Sequence, residues 1–299
     1  MKRFVRKVLQ KIALVSLEPA LRDTNDQRTS QILLALKYRE IANRWEDYKE
    51  NIPDFEQIGF NVYSSTHEDG ILLYIFSLIG TTNKICVDIG ASTVMGSNTA
   101  NLIINNGFSG LLIDRDSDSM KAAMEYYTGH RETTDSPPTY LIKRVTAENI
   151  NVLLENAQMS GEIDLLSIDI DGIDFWIWKA IQAIQPRVVI IEYQDILGSE
   201  RAWTIPYKED FDLKDFAVNR DNHNYCGASL QAFIKLGKQK GYRLIGCNKG
   251  GWNAFFLKNG IGESYFPEVS AKSCFKPEWN QYDMETRFPL VKEMDWEEI

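Results

Sequence analysis

Short, continuous apolar runs that end in carboxylates recur along the chain. Residues 85–87 (Ile-Cys-Val) end at Asp88, and residues 110–113 (Gly-Leu-Leu-Ile) end at Asp114-Arg115-Asp116. Residues 163–168 run into Asp169-Ile170-Asp171-Gly172-Ile173-Asp174, and residues 187–191 end at Glu192-Tyr193-Gln194-Asp195. Runs of this length without polar alternation predict parallel strands buried on both faces. The intervening stretches predict helices. Gly96, Ser97 and Asn98 are helix-start residues, Leu102 and Ile103 face inward, and Gly107 closes that helix. Residues 120–127 and 175–184 predict two further helices, the second stopped by Pro186, with a third strand at 139–143. Residues 229–240 predict a helix capped by Gly241. After it, residues 242–247 and 253–257 flank Asn248-Lys249-Gly250-Gly251 and predict a hairpin. The expectation is an α/β fold: a Rossmann-like sheet, mostly parallel, with a terminal antiparallel hairpin and all its strand-end carboxylates on one rim.

This order sets the expected domain limits. Residues 1–60 form an N-terminal helical extension, in which Ile32, Leu33, Leu36, Ile41 and Trp45 recur at helical spacing as an inward face. Residues 61–260 form the main domain. Its insertion, 199–226, carries Trp203, Tyr207, Phe211 and Phe216 and reads as a substrate wall or lid, or as a surface loop pinned by aromatics. Residues 261–299 read as a tail packed on the domain. Near position 65, a polar cluster abuts the apolar run 71–76. Ser65 or Thr66 would cap that helix, with Glu68 and Asp69 facing its dipole, or this polar end faces the crevice and touches a ligand.

Composition narrows the partners. A formal charge of −9 over 299 residues argues against broad contact with nucleic acid or an anionic membrane. The exception is local. Lys2, Arg3, Arg6, Lys7 and Lys11 line one side of a helical pattern whose other side is Phe4, Val5, Val8, Leu9 and Ile12. Such a helix packs on its own domain or a partner chain, or lies on a membrane surface. The expected location is cytoplasmic, with peripheral contact at the inner membrane surface as the alternative, and an oligomer stays open. No stretch is long and apolar enough to span a membrane. Four scattered cysteines with no CxxC spacing predict a reduced protein without a disulfide framework, and three scattered histidines argue against a His-based zinc site.

The first turn, residues 88–96, has only Gly90 where a GxGxxG motif would need glycine. It lacks the close backbone approach a pyrophosphate requires, yet suits a smaller nucleoside-like ligand. That disfavours a nicotinamide-dependent oxidoreductase, which remains the alternative enzyme class. A non-catalytic binding protein on a degenerate fold is the second alternative.

Six motifs in this order resemble class I S-adenosylmethionine-dependent methyltransferases, and more narrowly the FkbM-type group. They are VDIGA at 87–91, LLIDRD at 111–116, IDLLSIDIDGIDFWIW at 163–178, RVVIIEYQ at 187–194, YCGASL at 225–230 and GYRLIGCNKGGWNAFF at 241–256, with HEDGILLYIFSLIG at 67–80 as a family-like helix. The resemblance covers about residues 30–258 and implies O-methylation of a sugar, glycan or specialised-metabolite hydroxyl. It places Asp88, Gly90 and Ala91 by the methionine end of S-adenosylmethionine and Asp114 on the ribose hydroxyls, with Asp116 as fallback. Thr146 and Ala147 would flank adenine; Glu68, Ser97, Asn98 and Asp169 complete the candidate cofactor contacts. Ser92 and Val94 stand where the family often has glycine. Methyl transfer to a hydroxyl needs alignment and loss of a proton. Asp169 or Asp171 is the expected general base or acceptor-positioning group. Alternatively Asp169, Asp171 and Glu192, with Gln194, hold Mg²⁺ or another divalent cation that lowers the hydroxyl's pKa. His223 is a further candidate base.

Overall fold

The structure is a computed structural model that describes residues 27–48, 53–91, 93–216 and 224–299. The basic N-terminal pattern, Ser92 and His223 lie outside the described residues. Helix α1 (Gln27–Asn43) is followed by single turns at Trp45–Tyr48 and Phe55–Ile58 and by α2 (Glu68–Ile79). The alternating part runs β1 (Ile85–Ile89), α3 (Ala100–Asn106), β2 (Ser109–Asp114), α4 (Ser117–Gly129), β3 (Thr139–Ile142), α5 (Ile150–Asn156), β4 (Gly161–Ile168), α6 (Asp174–Ala180) and β5 (Ile184–Glu192). Next come β6 (Trp203–Thr204), α7 (Leu230–Lys240), β7 (Tyr242–Cys247) and β8 (Asn253–Lys258), and β9 (Glu297–Glu298) lies in the tail.

Seven strands form one sheet in the order β3-β2-β1-β4-β5-β8-β7. The first five are mutually parallel; β8 is antiparallel to both β5 and β7. This is the expected Rossmann-like sheet with its terminal hairpin. The order reverses between β1 and β4, and a reversal opens a crevice at the carboxyl ends of the two strands. Both faces are covered, which explains the unbroken apolar runs. Side chains alternate across the sheet. Val87, Ile89 and Leu166 pack with Trp178, Phe233 and Phe256 on one side. Cys86, Leu112 and Leu165 pack with Ile71, Tyr74 and Tyr38 on the other.

The structure corrects three expectations. In α1 the inward face is Ser30, Gln31, Leu34, Tyr38 and Ile41. Ile32, Leu33 and Leu36 are more than half exposed. A buried amide pair sets the helix's rotation: Gln31 Nε2 donates to Asn101 Oδ1 and Asn101 Nδ2 to Gln31 Oε1, each at 2.9 Å. Helix α6 ends at Ala180, and Pro186 sits inside β5 opposite Ile163. It is tolerated because β8 joins β5 only from Val188 onward, so no sheet neighbour on that side needs the missing N–H. At the head of α2 neither Ser65 nor Thr66 caps; His67 holds that position in a left-handed conformation with no side-chain cap bond. The tail packs on the domain beside the insertion, with β9 antiparallel to β6.

Candidate active site

The crevice at the carboxyl ends of β1, β2 and β4 is a cavity of about 640 Å³. The β1–α3 turn forms its base. Gly90 adopts φ +98, and a β-carbon there would lie 1.6 Å from the Asp169 carbonyl oxygen, so no other residue fits. The turn is clamped between neighbours: the Gly90 amide donates to Ile113 O and the Asp169 amide to Ile89 O, both at 2.9 Å.

Asp88 is buried beneath this turn rather than in the cavity. Its Oδ2 accepts from Thr99 Oγ1 at 2.7 Å and Ser97 Oγ at 3.1 Å. Burial pushes its pKa up, and these hydroxyls partly offset that. Ser97 reaches the cavity and also accepts the Thr99 and Ala100 amides, both at 3.1 Å. Asn98 turns inward, 3.5 Å from Ser167 Oγ, and Ala91 is buried.

Asp114 lines the cavity at the tip of β2 and accepts the Asp116 amide at 2.7 Å. Burial raises its pKa. Asp116 also lines the cavity, but its Oδ1 caps α4 by accepting the Asp118 and Ser119 amides. Those amides hold its pKa below the usual carboxylate range. Of the pair, Asp114 has the side chain less committed to the fold.

After β3, Val145 lines the cavity where Thr146 and Ala147 were expected. Thr146 is spent on the entry to α5, exchanging hydrogen bonds with Asn149, and the Ala147 amide donates to Tyr207 Oη at 3.1 Å. Glu68 is a further correction. It is 1% exposed, and its oxygens accept from Asn248 Nδ2 at 2.7 Å, Asn253 Nδ2 at 2.9 Å and the Thr66 amide at 2.7 Å. It straps α2 to the β7–β8 hairpin and is absent from the cavity lining.

The carboxylates after β4 and β5 form a cluster. Oxygens of Asp169, Asp171 and Glu192 all lie within 4.8 Å of one another. Burial, then the charge of Asp171, pushes Asp169 up to about 8. Burial, then the charge of Asp169, pushes Glu192 well above its ordinary value. The two carboxylates raise one another, and a proton or a cation between them would relieve that repulsion. Asp174, behind them, is structural: its oxygens accept the Ile170 and Gly172 amides, both at 2.9 Å. That bracket holds Asp171 at φ +51, a strained value for a non-glycine residue.

A second cavity of about 330 Å³ adjoins this cluster, with Glu192, Gln194, Asp195, Trp252 and Arg287 in its lining. Asp171 lines both cavities. Sequence reasoning missed Trp252 and Arg287, which come from the hairpin turn and the tail. It also missed how the insertion covers the first cavity. Asp212 bridges Arg115 at 3.0 Å and Arg144 at 3.7 Å, and Arg144 Nη1 donates to Phe211 O at 2.8 Å. Phe211 packs on Gly172, where a β-carbon would lie 3.0 Å from its ring. The only sequence signal was the run of aromatics in the insertion.

No protein-family model and no curated protein matches the sequence. Among solved structures, the chain is similar to TnmH at 12% identity and a TM-score of 0.35, covering 81% of this chain and 61% of that one. It is similar to a candidate caffeoyl-CoA O-methyltransferase from Staphylococcus aureus at 14% identity and TM-score 0.42, covering 84% and 100%. It is also similar to the O-methyltransferase TomG from Streptomyces achromogenes, a protein of tomaymycin synthesis solved with S-adenosylmethionine, at 15% identity and TM-score 0.41, covering 76% and 90%. The chain thus spans less than two thirds of the length of TnmH. At these identities and TM-scores the likeness says nothing of activity or substrate.

Proposed function

We propose that this chain is an S-adenosylmethionine-dependent O-methyltransferase. The supporting observation is the pair of cavities that meet at Asp171: one at the topological switch point with the Gly90 turn and Asp114, the other ringed by polar groups. The first has the size of a small-molecule site and lacks a glycine-rich pyrophosphate loop. Bound there, the cofactor would supply an electrophilic methyl group. Asp114 accepts the ribose hydroxyls, the Gly90 turn and Ser97 shape the adjoining wall, and Phe211 excludes water from above. The acceptor enters by the second cavity, and Asp171 orients its hydroxyl and takes its proton. The acceptor class is a hydroxyl of a sugar, glycan or specialised metabolite, and the FkbM-type motifs are its support.

The Asp169, Asp171 and Glu192 oxygens also suit a hard divalent cation such as Mg²⁺, which would lower the pKa of the acceptor hydroxyl. Titration calorimetry of the whole chain with S-adenosylmethionine, S-adenosylhomocysteine and NAD tests the reading. Saturable binding of the first two is expected; binding of NAD alone would replace it with a dehydrogenase. Chelation followed by Mg²⁺ addition during turnover separates the metal-assisted form from the metal-free one.

A further inference from the structure

Cys247 and Cys274 are 27 positions apart and occupy one site. Cys247 ends β7, and Cys274 ends a single helical turn, Ala271–Cys274, in the tail. The Cys247 thiol donates to the Cys274 carbonyl at 3.4 Å. The backbones are already docked there, because the Val269 amide donates to Leu244 O at 2.9 Å. Both residues are buried, 6% and 2% exposed, yet both line a cavity of about 380 Å³. Lys276 lines the same cavity, and its ammonium is paired with Glu56. The other two cysteines lie apart: Cys86 faces Ser109 O, and Cys226 accepts from Gln194.

We propose that Cys247 and Cys274 are a redox-active dithiol that a peroxide converts to a disulfide, fastening the tail to the sheet. The Cys247 sulfur is the attacking group. Cys247 lines the same cavity as the Lys276 ammonium, whose charge favours a thiolate. The Cys247 thiolate attacks one peroxide oxygen, the O–O bond breaks, and hydroxide leaves and is protonated to water. The Cys274 sulfur then attacks the resulting sulfenic acid, the S–S bond forms, and a second water leaves with the Cys274 proton. Two thiols are oxidised and one peroxide is reduced to two waters.

The bond has a structural reach beyond its own cavity. Just downstream of Cys274, Asn280 donates to Asp195 at 3.1 Å, and Arg287 lines the second cavity beside Asp171. Oxidation therefore holds the tail side of that cavity in place.

The test uses the full reduced chain treated with stoichiometric hydrogen peroxide. The expected result is a loss of about 2 Da, a non-reduced peptide map joining the Cys247 and Cys274 peptides, and full reversal by dithiothreitol. The melting temperature of the oxidised form should exceed that of the reduced form by about 5 °C. Cys247→Ser and Cys274→Ser should each abolish both changes, and the Cys86→Ser, Cys226→Ser double variant should keep them. Stepwise oxygen addition without a cross-link, or a cross-link through Cys86 or Cys226, would overturn the proposal. Because mass and melting are read without cofactor or acceptor, the outcome is independent of whether the chain transfers methyl groups.

Discussion

Two acidic clusters look alike in sequence and behave oppositely in the fold. At the head of α2, Asp69 Oδ2 accepts three amides, those of Val62, Tyr63 and Ser64, at 2.7–2.8 Å. Its neighbour Glu68 takes two side-chain amides and one backbone amide. On the rim after β4 and β5, Asp169, Asp171 and Glu192 face one another instead of donors. The first cluster is consumed by the architecture. The second stores electrostatic repulsion that a proton, a cation or a substrate hydroxyl relieves. Acidity alone therefore does not mark a site; the direction of the nearest donors does.

The largest expected effect lies on the rim. Asp171→Asn should lower the rate of S-adenosylhomocysteine release, with an acceptor present, by about 100-fold to 10,000-fold, while thermal melting stays near the parent value. An equal loss of turnover in a folded Glu68→Gln variant would erase the distinction between the clusters. Next comes stability. Asp69→Ala orphans three amides, those of Tyr63 and Ser64 buried and that of Val62 half-buried, and should cost about 3 kcal/mol in urea unfolding. Asp169→Asn removes repulsion and should cost under about 1 kcal/mol or stabilise. Matching destabilisation of the two variants would mean that the rim is structural as well.

A smaller effect is expected at the cofactor end. Asp114→Ala should weaken S-adenosylmethionine binding about 10-fold to 100-fold by calorimetry. Asp116→Ala should mainly loosen α4, and the reverse outcome would exchange their roles. The smallest effect is in the pH dependence of stability. Burial pushes Asp69 and Asp174 each up to about 6 from 3.8. Between those values the folded chain holds protons that the unfolded chain has released, so stability falls as pH rises from about 4 to about 6. Asp69→Asn should flatten that decline only partly, since Asp174 remains; an unchanged slope in denaturation series would show that Asp69 is ionised throughout.

The sheet was readable because buried parallel strands leave unbroken apolar runs, and Asp88, Asp114, Asp169 and Glu192 mark where they end. What misled was local. The apolar spacing of Ile32, Leu33 and Leu36 suggested an inward stripe, but the Gln31–Asn101 pair turned α1 the other way. Pro186 read as a helix stop because only the late entry of β8 makes room for it in a strand. Gly90, Ser97 and Asp114 were visible candidates, since turn residues and strand tips are set by near neighbours. Asp212 bridging Arg115 and Arg144, and Arg287 beside Asp171, depend on contacts between distant segments, for which no local spacing gives a signal.

Asp171 stands in the wall between two chambers, in a conformation that the Asp174 bracket holds under strain. One carboxylate facing both chambers ties their occupancies into a single thermodynamic cycle. Whatever preference a first guest creates at that carboxylate for a second, the second must return to the first in equal measure.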